Sequence, residues 1–155
     1  MMTQNASLLY VHNLKIVKYP DPILKQFCLP VVKFDFENKA IADKMVELMI
    51  ENDGIGLAAN QVGLTMQMFV MYITGISEKP KVFINPKIVF SNGTINSQEG
   101  CLSCVGITKV VQRKKAVRLS YQDLNGTVCV EKFFDREACC IQHEIDHLQG
   151  KLLIS

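Results

Sequence analysis

Apolar positions recur at helical spacing in residues 38–52, where Ile41, Met45, Leu48 and Met49 fall on one face and predict an amphipathic helix. Asn38 is placed to cap it and Gly54 to break it. Residues 135–149 predict a second helix, capped by Asp135 and stopped by Gly150. Between them the pattern shortens toward strands. Residues 67–73 are rich in Phe, Val, Tyr and Met and read as a strand. Residues 82–84 and 87–90 flank Asn85-Pro86 and predict two short extended pieces. Residues 116–121 put Val117, Leu119 and Tyr121 on one face, and residues 127–134 are strand-like. Asn125-Gly126 between them is a hairpin-turn signal. Tyr19-Pro20-Asp21-Pro22 predicts a turn, because two prolines block helix and ladder alike. The expected class is α+β: antiparallel strands packed around a C-terminal helix, with an N-terminal helix.

Composition narrows the picture without redirecting it. A chain of 155 residues suits a single domain, expected over 1–155, and 48% hydrophobic content supplies one core. The net charge is +2, and the densest basic cluster is Arg113-Lys114-Lys115. No aromatic-basic stripe accompanies it, so no nucleic-acid partner is expected, and Lys114 and Lys115 read as a solvated loop or strand edge. No stretch reaches membrane-span length. Residues 1–13 are polar and mixed, without a secretory pattern or arginine, so the expected location is cytoplasmic. Reduced thiols are then the expectation for the six cysteines. Cys28, Cys129, Cys139 and Cys140 read as buried and inert.

The chemistry begins at His143-Glu144-Ile145-Asp146-His147. Histidines four apart share a helical face and can converge on one metal ion. Glu144 between them reaches a metal-activated water without being a ligand, so it is the expected acid/base residue of a hydrolase. Asp146 is expected to orient an imidazole or the helix. Candidates for a third ligand are Cys101, Cys104, Cys139, Cys140 and several carboxylates. Cys101-Leu102-Ser103-Cys104 is itself a Cys-x-x-Cys, either a redox pair or half of a zinc site. The redox reading lacks a thioredoxin-like context. A closed Cys101, Cys104, His143, His147 set is a serious rival, and it would leave Glu144 without a catalytic role. A metallopeptidase would usually take its third ligand downstream, where the eight residues after His147 hold neither His nor Glu. A third segment is Gly54-Ile55-Gly56-Leu57-Ala58-Ala59-Asn60-Gln61, whose small residues allow close backbone approach. It has no Gly-Lys-Ser/Thr ending, so phosphate cradling is not indicated.

Taken in order, these segments resemble the peptide deformylases. That family carries Gly-x-Gly-Leu-Ala-Ala-x-Gln, then Glu-Gly-Cys-Leu-Ser, then Gln-His-Glu-x-Asp-His-Leu. Here they stand as Gly54 to Gln61, Glu99 to Ser103 and Gln142 to Leu148. The resemblance implies a divalent metal on Cys101, His143 and His147 with water in the fourth position, and it makes Cys104 a bystander. The implied ion is Fe(II), with Zn, Ni or Co able to replace it. The implied reaction removes the formyl group from N-formylmethionyl peptides, as nascent chains at the ribosome, and releases formate. Glu144 would shuttle the proton, and the Gln61 amide and the Leu102 backbone N–H would hold the oxyanion. The backbone of Ile55, Gly56 and Gly100 would pair with the substrate, and Ile55 and Cys140 match positions of the methionine pocket. Departures stand at Cys104, Val105, Thr108 and Arg136, the last where an apolar pocket wall is usual. They bear on substrate preference and leave the chemical residues intact.

Overall fold

The structure, a computed structural model, describes residues 9–154. Residues 1–8, which hold most of the polar start, lie outside the described residues. The first predicted helix is α1 (Phe36–Glu51), beginning slightly earlier than its apolar periodicity. Its cap is Asp35 rather than Asn38. The Asp35 carboxylate accepts the Asn38 N–H at 3.0 Å, so Asn38 is the capped residue and not the cap. Ile41, Met45, Leu48 and Met49 are all buried, as the periodicity requires.

Five strands form one antiparallel sheet in the order β1 (Gly56–Ala58), β2 (Met68–Met71), β3 (Lys81–Asn92), β6 (Ala116–Gln122), β7 (Val128–Phe134). The intervening β4 (Ile95–Cys101) and β5 (Cys104–Arg113) pair only with each other, as an antiparallel hairpin. The two pieces expected around Asn85-Pro86 are one strand, β3. Its register against β6 shifts between Ile84 and Lys87, where proline has no N–H to offer the ladder. Asn85 takes φ +50° there, and its amide bonds both backbone groups of Val31 and the Gln122 side chain.

The sheet is covered on both sides, which explains the unbroken apolar run of β2. Met68 and Val70 pack toward α1 with Met45, Met49, Leu57 and Ile84. Phe69 and Met71 face the other layer with Phe83, Leu119, Phe133 and Ile141. Phe69 stacks on Phe83 at 4.7 Å, and Tyr121 meets Phe83 edge-on at 4.7 Å. Alternation survives in β6, where Val117, Leu119 and Tyr121 are buried as predicted.

The second layer is the helix α2 (Asp135–Leu148). Asp135 does not cap it. Phe134 holds the cap position without a side-chain bond, and Asp135 opens the helix at φ +51° with its N–H on the Lys115 carbonyl. Asp135 and Glu137 still place negative charge in the first turn, where the helix dipole favours it. Gly150, at φ +75°, ends the helix as expected. Gln142 ties α2 to the turn after β5 by exchanging bonds with both backbone groups of Lys114. Cys28, Cys139 and Cys140 are buried, whereas Cys129 is only half-buried on β7. No helix among the described residues is long and apolar enough to cross a membrane.

Candidate metal centre and substrate groove

Cys140 and Glu144, like His143 and His147, are four residues apart, so α2 presents these two adjacent pairs along one side. Cys101 arrives from the end of β4. The donor atoms of Cys101, His143 and His147 all lie within 4.8 Å of one another. His143 Nε2 and His147 Nε2 are 3.0 Å apart, and Cys101 Sγ is 3.4 Å from His147 Nε2. Donors sharing one tetrahedral Zn-type ion at ordinary bond lengths stand about 3.3–3.6 Å apart. The observed spacings approach that, and two imidazoles with a thiolate suit a borderline-soft divalent cation. Among the described residues this is the group that could hold a metal, and Cys104 is not in it. Cys104 is 3% exposed and packs with Leu24 and Leu152. The closed four-ligand set is therefore not assembled.

A buried ion-pair chain fixes one imidazole. Glu99 Oε1 accepts from His143 Nδ1 at 3.0 Å, which aims Nε2 at the ligand group. Arg113 donates to both Glu99 oxygens, at 3.0 and 2.7 Å, and to Asp146 Oδ2 at 2.7 Å. Asp146 thus steadies His143 through Arg113 and Glu99, not by touching an imidazole. Burial alone would raise the Glu99 carboxyl, but its bonds from His143 and Arg113 outweigh that and hold it at about 2. Burial would likewise lower His143, but bonds to Cys101 and Glu99 carry it up to about 10. The site is built to collect positive charge at this point, which a cation would supply. His147 goes the other way, pushed down to about 3 by burial and by His143. That favours the neutral imidazole, the form that ligates a cation.

Glu144 is 3% exposed, and its Oε1 has no hydrogen-bond partner among the described residues. Burial pushes its carboxyl up to about 7, against the pull of His143. Gly56 makes room for it: a Cβ there would lie 2.7 Å from Glu144 Oε2 and 2.8 Å from Cys140 Sγ. Gly56→Ala is therefore expected to displace Glu144 and lower kcat on the order of 10²-fold, the cost of an ångström-scale misplacement. Metal content should stay at the wild-type value, which metal analysis beside steady-state kinetics checks.

The site opens into a groove of ≈ 410 Å³. Gly54, Ile55 and Gly56 line it together with residues 97–101 and with Cys140, His143 and Glu144 of α2. Gln61 and Leu102 also line it, so the structure brings every sequence-expected site residue except His147 to this groove; His147 reaches the centre from behind. Arg136 stands exposed on the groove lining. Gln61 is held at both ends of its amide: Oε1 accepts the Ala58 N–H at 3.0 Å, while Nε2 reaches Ser103 Oγ at 3.1 Å and Cys101 Sγ at 3.4 Å. Lys18 donates to the Leu102 carbonyl at 2.8 Å, and the Tyr19 N–H to that of Ser103 at 2.9 Å. Glu99, Arg113 and Lys18 carry no role among the sequence-based expectations. Glu99 stood inside a recognised motif, but Arg113 and Lys18 had no local signal, since their partners are distant in the chain.

A family model described as polypeptide deformylase matches residues 13–155. Peptide deformylase 1 of Shewanella oneidensis is 42% identical over 141 residues, covering 91% of this chain and 84% of that protein. A peptide deformylase of Nitrosococcus oceani is 43% identical over 141 residues, with the same coverage of 91% and 84%. The crystal structure of a peptide deformylase from Thermotoga maritima superposes with a TM-score of 0.87 at 37% identity, covering 91% of this chain and 95% of that one. One from Legionella pneumophila gives 0.87 at 35%, covering 91% and 83%.

Proposed function

The chain belongs to the polypeptide deformylase family, and on that footing we infer how its own residues perform the reaction. It is a metal-dependent hydrolase that removes the N-terminal formyl group from formylmethionine of newly made polypeptides and releases formate. The observation that carries the residue assignment is the buried, unpartnered Glu144 oxygen beside a three-donor metal group.

Substrate binding follows from two free strand edges. β1 is an edge of the large sheet and β4 an edge of the hairpin, and both line the groove. An extended peptide can add as a strand between them, bonding the backbone of Ile55, Gly56 and Gly100. The first side chain then turns down toward Ile55 and Cys140. When bound to Cys101, His143 and His147, a divalent ion supplies Lewis acidity and makes a water acidic enough to ionise near neutral pH. The family resemblance favours Fe(II), and Zn, Ni or Co suit the same donors.

Glu144 takes the proton of the attacking water and later delivers one to the methionine nitrogen as the C–N bond breaks. A carboxyl held at about 7 can do both near neutral pH. The Gln61 amide and the Leu102 N–H donate to the oxygen that gains charge at the former carbonyl. Glu99, Arg113 and Asp146 keep His143 oriented throughout. Gln61→Ala tests the oxyanion role. We expect kcat to fall about 10²–10³-fold, the usual cost of losing one such donor, with metal content unchanged. An unchanged kcat would remove Gln61 from the mechanism. On the same reading residues 1–155 are a single catalytic domain, acting on nascent chains at the ribosome in the cytoplasm.

A further inference from the structure

Cys104 packs beside Cys101 of the metal group, and the hydrolysis leaves it unused. It sits opposite Cys101 as its Cα partner across the two-residue turn Leu102-Ser103, at the tip of the β4–β5 hairpin beyond a register shift after Gly100. Antiparallel partners stand about 4.5–5.5 Å apart at Cα. That lies within the about 4.4–6.8 Å over which a disulfide closes without moving the backbone. Partners in a ladder point their side chains to the same face, and here Cys101 packs directly against the cluster of Cys104, Leu24 and Leu152. Both cysteines are free thiols. They differ in access: Cys101 is half-buried and lines the groove, whereas Cys104 is 3% exposed and behind it. An oxidant in the groove therefore meets Cys101 first, and the next sulfur is already in place.

We propose that Cys101 and Cys104 form a peroxide-reactive pair in which Cys104 resolves the oxidised state of Cys101. The Cys101 thiolate attacks the O–O bond of a hydroperoxide, forming a sulfenic acid and releasing hydroxide, or alkoxide from an organic peroxide. Cys104 Sγ then attacks the sulfenic sulfur, an S–S bond forms, and the S–O bond breaks. The Cys104 proton leaves with the departing oxygen as water. With hydrogen peroxide the balance is two thiols and one peroxide to one disulfide and two waters; two electrons pass from sulfur to oxygen. A dithiol reverses the disulfide. Without a resolving thiol, the sulfenic acid goes on to sulfinic and sulfonic acids, which a dithiol does not reverse. The pair thus diverts oxidation of a ligand sulfur into a recoverable form. The disulfide stands on the hairpin geometry. The loss of metal that accompanies it rests on Cys101 being a ligand.

The test treats the metal-loaded protein and a Cys104→Val variant with graded hydrogen peroxide, followed by intact mass, peptide mapping and metal content. The wild type is expected to lose two hydrogens, to map a Cys101–Cys104 link and to lose its metal. Dithiothreitol and fresh metal should then restore thiol count and metal content. The variant is expected to gain oxygen at Cys101 and to recover neither. Oxygen added at Cys101 of the wild type with Cys104 still reduced would overturn the proposal, as would a variant that recovers as fully as the wild type. If the variant folds poorly, the map of the oxidised wild type decides alone. A mapped link with metal content intact would support the pair and count instead against Cys101 as a ligand.

Discussion

Glu144→Ala is expected to keep one divalent ion per chain and to lower kcat by about 10²–10⁴-fold, the range of a positioned general acid/base. The carboxylate sits between the two histidines in sequence but outside the ligand group in space. Its Oε1 makes no protein bond, so its removal breaks no hydrogen bond from that oxygen among the described residues. Burying an unpartnered carboxyl costs stability. The alanine variant should therefore melt no lower than the wild type. This separates the catalytic role from a structural one, because a group that held the fold would lose stability and activity together. Metal loss on the scale of His143→Ala would count against the assignment.

Arg113→Ala is expected to be the costliest single change away from the reacting atoms. Arg113 is 9% exposed and bonds two carboxylates, one of them the equally buried Glu99. Its loss leaves Glu99 charged and half-paired in the interior, and breaking such a pair costs about 3–5 kcal/mol. For a chain of this size that corresponds to a Tm lowered by about 6–20 °C. Glu99 would also hold His143 less firmly, and losing such support typically weakens metal affinity about 10–100-fold. Asp146→Asn should do much less, because Asp146 lies at the exposed end of the chain of charges. The Tm should be measured without metal as well as with it. A fall in the metal-free protein would show that the network acts on the fold and not only through the ion. A fall of under 2 °C in both forms would mean that the network carries little.

The sequence made the site's chemistry legible because its key residues are local. His143, Glu144 and His147 share one helix face, and a helix is readable from its spacing. The two helices and β6 were legible for the same reason, since each buries a regular apolar face, whereas β2 was legible as an apolar run buried on both sides and β7 by its β-branched and aromatic composition. The caps lie at Asp35 and Phe134, three residues and one residue before Asn38 and Asp135, which are good capping residues by type. The β4–β5 hairpin had no such signal. β4 reads Ile-Asn-Ser-Gln-Glu-Gly-Cys, and most of β5 is exposed, so backbone pairing and not apolar alternation holds them. Yet that hairpin supplies Cys101, Glu99 and Arg113. The ligand role of Cys101 was reached through resemblance to a family rather than through its spacing. The Glu99–Arg113–Asp146 chain was invisible because its members lie 14 and 33 residues apart and meet only once the hairpin packs on α2.

On the proposed function, a divalent ion held by Cys101, His143 and His147, with Glu144 beside it, is what enables hydrolysis of a formyl amide. The most direct test is formate release from a formylmethionyl peptide, measured anaerobically with metal analysis of the same sample. Formate and free methionyl amine are expected in equal amounts, at a rate proportional to bound metal and close to zero in chelator-treated protein. Formate release that persists in fully metal-free protein, or its absence in protein carrying one ion per chain, would contradict it.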